Sequence, residues 1–329
     1  MVADQPCSTS SLWAAAGSPD SLAAVGAEVE EAGERVSVII PHFGDPAPTL
    51  ALLTQLAQQV EVRLQIIVVD DRSPEPFPDV EGVSVVRRRR NGGFGTAVNS
   101  GARQATGNLL LVLNSDLHVG PAFVRDLVAA TRAWQPCVAG PALIDAAGGA
   151  AHSARHLPTV SHQVIEWLTP LARFRSHLHE QVGHDTRAVA GSITLTDWLV
   201  GAALLVPTKE FRAVGGFDER FFMNAEEVDL QRRLRDLGVP AVFVGTVTAI
   251  HVGHGSSDPV RRRAWLVEGR LKYAAKWGGR RRLQTGLAAA TGINLVVNTM
   301  RRAAGRDVKP LRTARAEWAL LRGSRSDAR

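Results

Sequence analysis

With 329 residues, the chain can bury the core of one large α/β domain plus an appendage without disulfides or structural metal. Its two cysteines, Cys7 in a tail and Cys137 in a strand, exclude a disulfide framework and zinc-finger spacing, and fit a reducing cytoplasm. No stretch approaches the ~20 apolar residues of a membrane span, so any membrane contact is expected to be peripheral.

The net charge of +6 is unevenly spread. From Arg261 to Arg329 there are 18 Lys and Arg against 4 Asp and Glu, which leaves the rest of the chain acidic. A basic segment of this kind suits anionic lipid, a phosphorylated acceptor or nucleic acid, or is a solvated helical tail. No nucleic-acid motif or aromatic stacking platform accompanies it or Arg87–Arg90, which argues against a specific nucleic-acid partner.

Residues 1–34 carry no Lys or Arg, are rich in Ala, Ser and Gly, lack a charged segment followed by an apolar one, and are expected to form a disordered tail. Val36–Ile40 is a short apolar run ending at Pro41, followed by a turn-rich loop and a helical pattern through Leu50, Leu53, Leu56 and Ala57. Leu64–Val69 is a second apolar run, ending in Asp70-Asp71. Two buried strands flanking a helix form a βαβ unit whose ligands gather beyond the carboxyl ends of the strands. Val83–Val86, Leu109–Leu113 and Val138–Leu143 continue the strands, with helices expected over Thr96–Thr106 and Pro121–Trp134. The pattern is an α/β fold on a doubly wound, mainly parallel sheet.

Residues 146–190 hold six histidines, His152, His156, His162, His177, His179 and His184. Their weak periodicity predicts an insertion covering the substrate. None is read as the helix-borne histidine pair of a zinc site, so they are expected to be ordinary surface histidines. After Gly255 the strand pattern gives way to arginine-rich helical segments, which places a boundary near 257 and a basic helical extension over 258–329. Within it, Leu283–Met300 is uncharged but carries too many Thr, Asn, Gln and Gly residues to span a bilayer. It is expected to lie in the interface instead.

Four constellations carry chemistry. Asp71, with Pro41 and Phe43 at the neighbouring strand end, can accept the N3–H of a uracil or thymine while the aromatic ring packs on its face; turn chemistry explains the same residues. Asn91-Gly-Gly-Phe-Gly-Thr-Ala-Val-Asn99 leads into a helix. Its glycines, with Gly93 and Phe94 central, let backbone approach an anionic ligand at the helix N-terminus. Asn114-Ser-Asp116 ends a buried strand, where an acid suits Mg²⁺ or Mn²⁺ shared with substrate phosphates.

The fourth runs through Trp198-Leu-Val-Gly201, Gly-Gly-Phe-Asp218-Glu219-Arg and Glu226-Glu227-Val-Asp229, with His251 and His254 beyond. Glu226 and Asp229 share a helix face. Glu227 points away from it, toward substrate, although acids in a first turn are also favoured by the helix dipole.

In this order the motifs resemble the inverting glycosyltransferases of family 2, with their GT-A fold, over about residues 35–257. That resemblance implies a nucleotide-sugar donor, Asp71 as the base-binding acid, Asp116 as the terminal acid of a metal-binding Asp-x-Asp element and His251 as a further metal ligand. Gly-Thr-Ala-Val-Asn (95–99), Ser153-Ala-Arg155, Trp198-Leu-x-Gly201, Gly-Gly-Phe-Asp-Glu-Arg (215–220) and Glu-x-Val-Asp-Leu (226–230) are similar to the actinobacterial rhamnosyltransferases that act on N-acetylglucosaminyl-diphospho-decaprenol. The expectation is transfer of rhamnose to a polyprenyl-diphosphate-linked sugar at the cytoplasmic membrane surface, or of another sugar from a UDP- or GDP-donor to another glycan acceptor. Glu227 is the expected base and Trp198, Gly201, Asp218 and Glu226 the acceptor-side residues. Three positions depart from the pattern: Asn114 replaces the first acid of Asp-x-Asp, Glu227 stands in place of aspartate, and Asn224 in place of tyrosine.

Overall fold

The computed structural model describes residues 35–253 and 258–322. The expected tail, His254 and the last residues of the extension lie outside them. Five strands are laid down early: β1 (Arg35–His42), β2 (Arg63–Asp70), β3 (Val83–Arg87), β4 (Leu109–Leu113) and the short β5 (Leu117–His118). The helices α1 (Ala47–Leu56), α2 (Phe94–Ala102) and α3 (Phe123–Thr131) alternate with them. Later come β6 (Val138–Ile144), β7 (Ala154–Arg155), α4 (Val160–Trp167), β8 (Ile193–Thr196), β9 (Trp198–Leu199), β10 (Ala203–Pro207), α5 (Thr208–Ala213), α6 (Glu226–Asp236) and β11 (Ala241–His251).

The main sheet runs β3-β2-β1-β4-β10-β6-β11-β5, with β8 paired to β11. Strands β3, β2, β1 and β4 are mutually parallel, as are β6 and β11, while β10 enters antiparallel between β4 and β6. A mainly parallel sheet with both faces covered explains why the strands read as continuous apolar runs. Val36, Val38 and Ile40 of β1 pack toward α1 and α3, whereas Ile39 packs toward α2 and α6. Each strand end therefore delivers polar residues to one edge.

The insertion is only partly regular: β7, α4 and 3-10 turns, with β7 paired antiparallel to β9. Its histidines depart from expectation. Of the six, only His177 is exposed, and His152, His179 and His184 stack on one another with ring centroids 4.1–5.2 Å apart. Although His152 and His156 are four residues apart, they lie on extended chain, so helical spacing gives no sign of this cluster.

Helices α7 (Pro259–Trp277), α8 (Arg280–Ala303) and α9 (Pro310–Arg322) complete the fold. They are not detached, since the described residues from Arg35 onward fall in one compact unit. Trp167 of the insertion packs with Val267, Leu271, Leu283, Leu287 and Leu321. The buried face of α8 is partly polar: Thr291 accepts from Trp167 Nε1 at 2.9 Å, and Asn294 donates to the Trp167 carbonyl at 3.0 Å and accepts from the Thr169 N–H at 2.8 Å. Ile293, Val296 and Met300 are exposed on the other side. Among the described residues, no helix is long and apolar enough to cross a membrane.

Candidate active site

Asp71 leaves β2 with its backbone N–H donating to the His42 carbonyl at 2.9 Å. Its carboxylate accepts from the N–H groups of Gly93 at 2.7 Å and Gly92 at 3.1 Å and pairs with Arg88. Burial pushes this carboxyl up, against the pull of Gly92, Arg88 and Gly93. The three donors make four contacts, two on each oxygen, because the Gly92 N–H is shared between both. Asp70 is instead spent on the loop, accepting from Ser73 and Phe77 N–H groups and pairing with Arg87. Phe43 is exposed at the adjacent strand end, beside half-buried Pro41.

Gly93 sits at φ 85°, and a Cβ there would lie 1.8 Å from the Phe222 carbonyl oxygen, so no other residue fits. The Asn91 side chain accepts from its N–H at 3.2 Å, and Phe94 N–H donates to that same Phe222 carbonyl at 3.2 Å. Asn99 departs from its expected nucleotide contact. Its amide donates to the Phe217 carbonyl and accepts from the Phe217 N–H, both at 2.9 Å. It lies in the stretch of α2 that is buried from Gly95 onward, so it positions the Gly-Gly-Phe turn.

Asp116, Asn114 and His251 converge because β5 pairs with the end of β11, His251 opposite Leu117. His251 Nε2 lies 3.3 Å from Asp116 Oδ1 and 3.3 Å from Asn114 Nδ2. Burial works to raise the Asp116 carboxyl, but the His251 hydrogen bond and charge outweigh it and hold the group below its ordinary value. One carboxylate, one imidazole and an amide, all partly open to solvent, make an incomplete ligand set of the kind a divalent cation shares with phosphate oxygens.

Helix α6 begins after two non-glycine residues in the left-handed region, Asn224 (φ 68°) and Ala225 (φ 70°). Such backbone persists only where its surroundings enforce it. Here Gly269 of α7 presses on it, since a Cβ on Gly269 would come within 2.4 Å of the Asn224 carbonyl. Glu226 and Asp229 are buried while Glu227 is half-buried. Burial pushes the Glu226 carboxyl well up, and the Glu227 charge adds to it. Burial also raises Glu227, with the Arg155 guanidinium and the Gly201 backbone acting against the rise. Two neighbouring carboxyls cannot easily both ionise, and both are raised, Glu226 the more strongly.

A continuous line of contacts joins these pieces. A Cβ on Gly201 would lie 3.3 Å from Glu227 Cβ and 3.7 Å from the Phe94 ring. The next residue, Ala202, accepts through its carbonyl from the Asn114 N–H at 2.8 Å. Asp71, the glycine loop, Gly201, Glu227, Asn114, Asp116 and His251 thus lie along one sheet edge.

Two acceptor-side expectations meet a different environment. The Arg220 hydrogen bonds, reinforced by Lys276, hold Asp218 far below the usual carboxylate range. Asp218 thus anchors α7. Trp198 donates through its indole to the His156 carbonyl at 2.9 Å and packs with Phe221, Val228 and Tyr273.

Sequence reasoning missed Arg155 as a partner of Glu227, and Gln231, whose amide bonds both backbone groups of Leu199 at 2.7–2.8 Å. It also missed Lys276 and Trp277, which bond buried Asp229. Arg155 lay in a quoted motif, whereas the others carried no local signal.

Residues 37–182 match the family model "Glycosyl transferase family 2". The chain is 28% identical over 228 residues to N-acetylglucosaminyl-diphospho-decaprenol L-rhamnosyltransferase of Mycobacterium tuberculosis, covering 63% of this chain and 72% of that one. It is 34% identical over 127 residues to rhamnosyltransferase WbbL of Escherichia coli, covering 38% and 45%. Among solved structures it resembles GalNAc-T7 crystallised with UDP, GalNAc and Mn²⁺, with a TM-score of 0.53 and 15% identity, over 74% of this chain and about half (48%) of that one. That likeness speaks for the fold alone. The chain is therefore a glycosyltransferase, whose residues 37–182 match the family 2 model, on a GT-A-type sheet.

Proposed function

We propose that this enzyme transfers L-rhamnose from dTDP-rhamnose, with inversion, to a polyprenyl-diphosphate-linked N-acetylglucosamine in the synthesis of cell-wall or surface polysaccharide. The observation that carries this reading is the unbroken line from Asp71 through Gly201 and Glu227 to Asp116, supported by the likeness to a relative named for that reaction.

Pro41, Phe43 and Asp71 take the base, and Asn91, Gly93 and Phe94 line the path of the diphosphate. A divalent cation, Mg²⁺ or Mn²⁺, held by Asp116 with His251 and Asn114 alongside, would neutralise charge on the leaving diphosphate. Glu227 removes the proton from the acceptor hydroxyl as its oxygen bonds to the anomeric carbon and the nucleoside diphosphate departs. A single displacement inverts the configuration. Burial raises Glu227 toward working pH, which strengthens it as a base, while Glu226 stays neutral beside it and Gly201 keeps the space in front of it clear.

The acceptor is presented at the cytoplasmic face of the membrane. Exposed Ile293, Val296 and Met300 form an apolar stripe on α8, flanked by Arg280–Arg282 and Arg301-Arg302. Such a face seats in the headgroup region, and each basic side chain near an anionic leaflet contributes about 1 kcal/mol.

A donor panel of dTDP-rhamnose, UDP-sugars and GDP-sugars, each with a lipid-diphosphate-GlcNAc acceptor and read by nucleoside diphosphate release, tests the proposal. It expects acceptor-dependent dTDP release. Release from a UDP- or GDP-sugar alone would overturn the donor assignment.

A further inference from the structure

We propose that His152, His179 and His184 form a binding site for one transition-metal ion, best matched by Zn²⁺, that staples the two ends of the 146–190 insertion. One ligand atom from each imidazole lies within 4.8 Å of the others, and the Nδ1 atoms of His179 and His184 are 3.0 Å apart. Zinc–nitrogen bonds of ~2.0–2.1 Å in tetrahedral geometry place donors about 3.3 Å apart, so small side-chain rotations suffice.

The donor set selects the ion. Three imidazoles suit Zn²⁺ and its neighbours in the first transition row, not Mg²⁺ or Ca²⁺. This site therefore differs in kind from the oxygen-bearing set at Asp116. Ligation requires neutral rings.

The three rings are also uncommitted. Among the described residues, their one side-chain hydrogen bond is the His179–His184 contact. A second group, His156, Glu180 and Asp185, is equally compact but already satisfied: Glu180 pairs with His156 and bonds Thr186, and Asp185 pairs with Arg187. Of these two groups among the described residues, the histidine triad makes no side-chain hydrogen bond outside itself.

The backbone presents the rings before any ion arrives. His152 is held at φ 46°, in the left-handed region, and its carbonyl accepts from Arg155 Nε at 2.9 Å. The His184 N–H donates to the His179 carbonyl at 2.9 Å, and His184 forms a bridge with Arg155. Strand β7 begins two residues after His152 and carries Arg155, whose charge acts on Glu227. An ion at the triad would thus fix the insertion and the register of Arg155 behind the proposed base.

Full-length protein stripped with chelator and dialysed is titrated with Zn²⁺ alone by calorimetry, and with Co²⁺ by visible absorption, in excess Mg²⁺. The expected result is one equivalent of Zn²⁺ and the intense Co²⁺ bands of a tetrahedral site. His179→Ala and His184→Ala should each abolish that equivalent, while His156→Ala and Asp116→Asn keep it. The wild-type measurements stand even if a variant fails to fold. Absence of Zn²⁺ binding, weak octahedral Co²⁺ absorption, or an equivalent that survives both triad substitutions would overturn the proposal.

Discussion

The ammonium of Lys276, on the first helix of the basic extension, lies 2.7 Å from Oδ1 of Asp229, on the helix whose first turn carries Glu227. Asp229 is fully buried and also accepts from Arg233 Nε at 3.0 Å and Trp277 Nε1 at 2.8 Å. A carboxylate taken out of water needs such partners, and two of them come from α7. The extension is therefore part of the wall behind the site as well as the candidate membrane contact.

Asp229→Asn should accordingly destabilise the whole protein. Removing one member of a buried charge cluster typically costs about 3–5 kcal/mol. The expected outcome is a clear drop in the urea unfolding midpoint, with loss of activity following loss of fold. An unchanged midpoint would show that α7 is not anchored through this residue.

Glu226 gives a pH prediction. Its carboxyl is raised by folding, so the folded protein holds this proton more tightly than the unfolded chain does. The stabilisation is complete below the ordinary value of 4.5 and is lost as pH rises toward the folded value. Glu226→Gln, which is neutral at every pH, should flatten the decline in stability as pH rises above 4.5. Urea midpoints measured across that range check it; an undiminished decline would place the titration elsewhere.

Asp116→Asn removes the one carboxylate of the candidate cation site. Metal-dependent binding of the nucleotide-sugar should weaken, while metal-independent nucleotide binding through Asp71 and Phe43 persists. Calorimetric titration of dTDP with and without Mn²⁺ distinguishes the two. Equal affinities for wild type and variant in saturating Mn²⁺ would remove Asp116 from the metal's ligands.

Val296→Glu combined with Met300→Glu places charge on the exposed stripe of α8, away from Thr291, Asn294 and the insertion. Sedimentation with anionic vesicles should fall sharply, while turnover of a water-soluble acceptor analogue stays near normal. Undiminished sedimentation would locate the membrane contact elsewhere.

The sheet was legible because buried parallel strands are continuous apolar runs, and Asp71 and Asp116 stand where those runs stop. The helical period of α6 likewise separated Glu227 from Glu226 and Asp229. What escaped depends on distant chain. The antiparallel placement of β10 between β4 and β6 comes from pairing that leaves no local mark. Thr291 and Asn294 read as polar interruptions of an apolar run, yet they face inward because Trp167 and Thr169 supply partners from the insertion. Asn99 read as a ligand contact because its partner, Phe217, is remote in sequence. The histidine triad was hidden for the same reason, as its members meet across the ends of an irregular insertion.

Turnover of Glu227→Gln tests the central claim most directly, with dTDP release and dTDP affinity measured on the same preparation. General-base help is typically worth ~10²–10⁴-fold, so acceptor-dependent release should fall by that order while dTDP affinity stays within about twofold of wild type. A Gln variant that releases dTDP at a near-normal rate would contradict the assignment of Glu227 as the base.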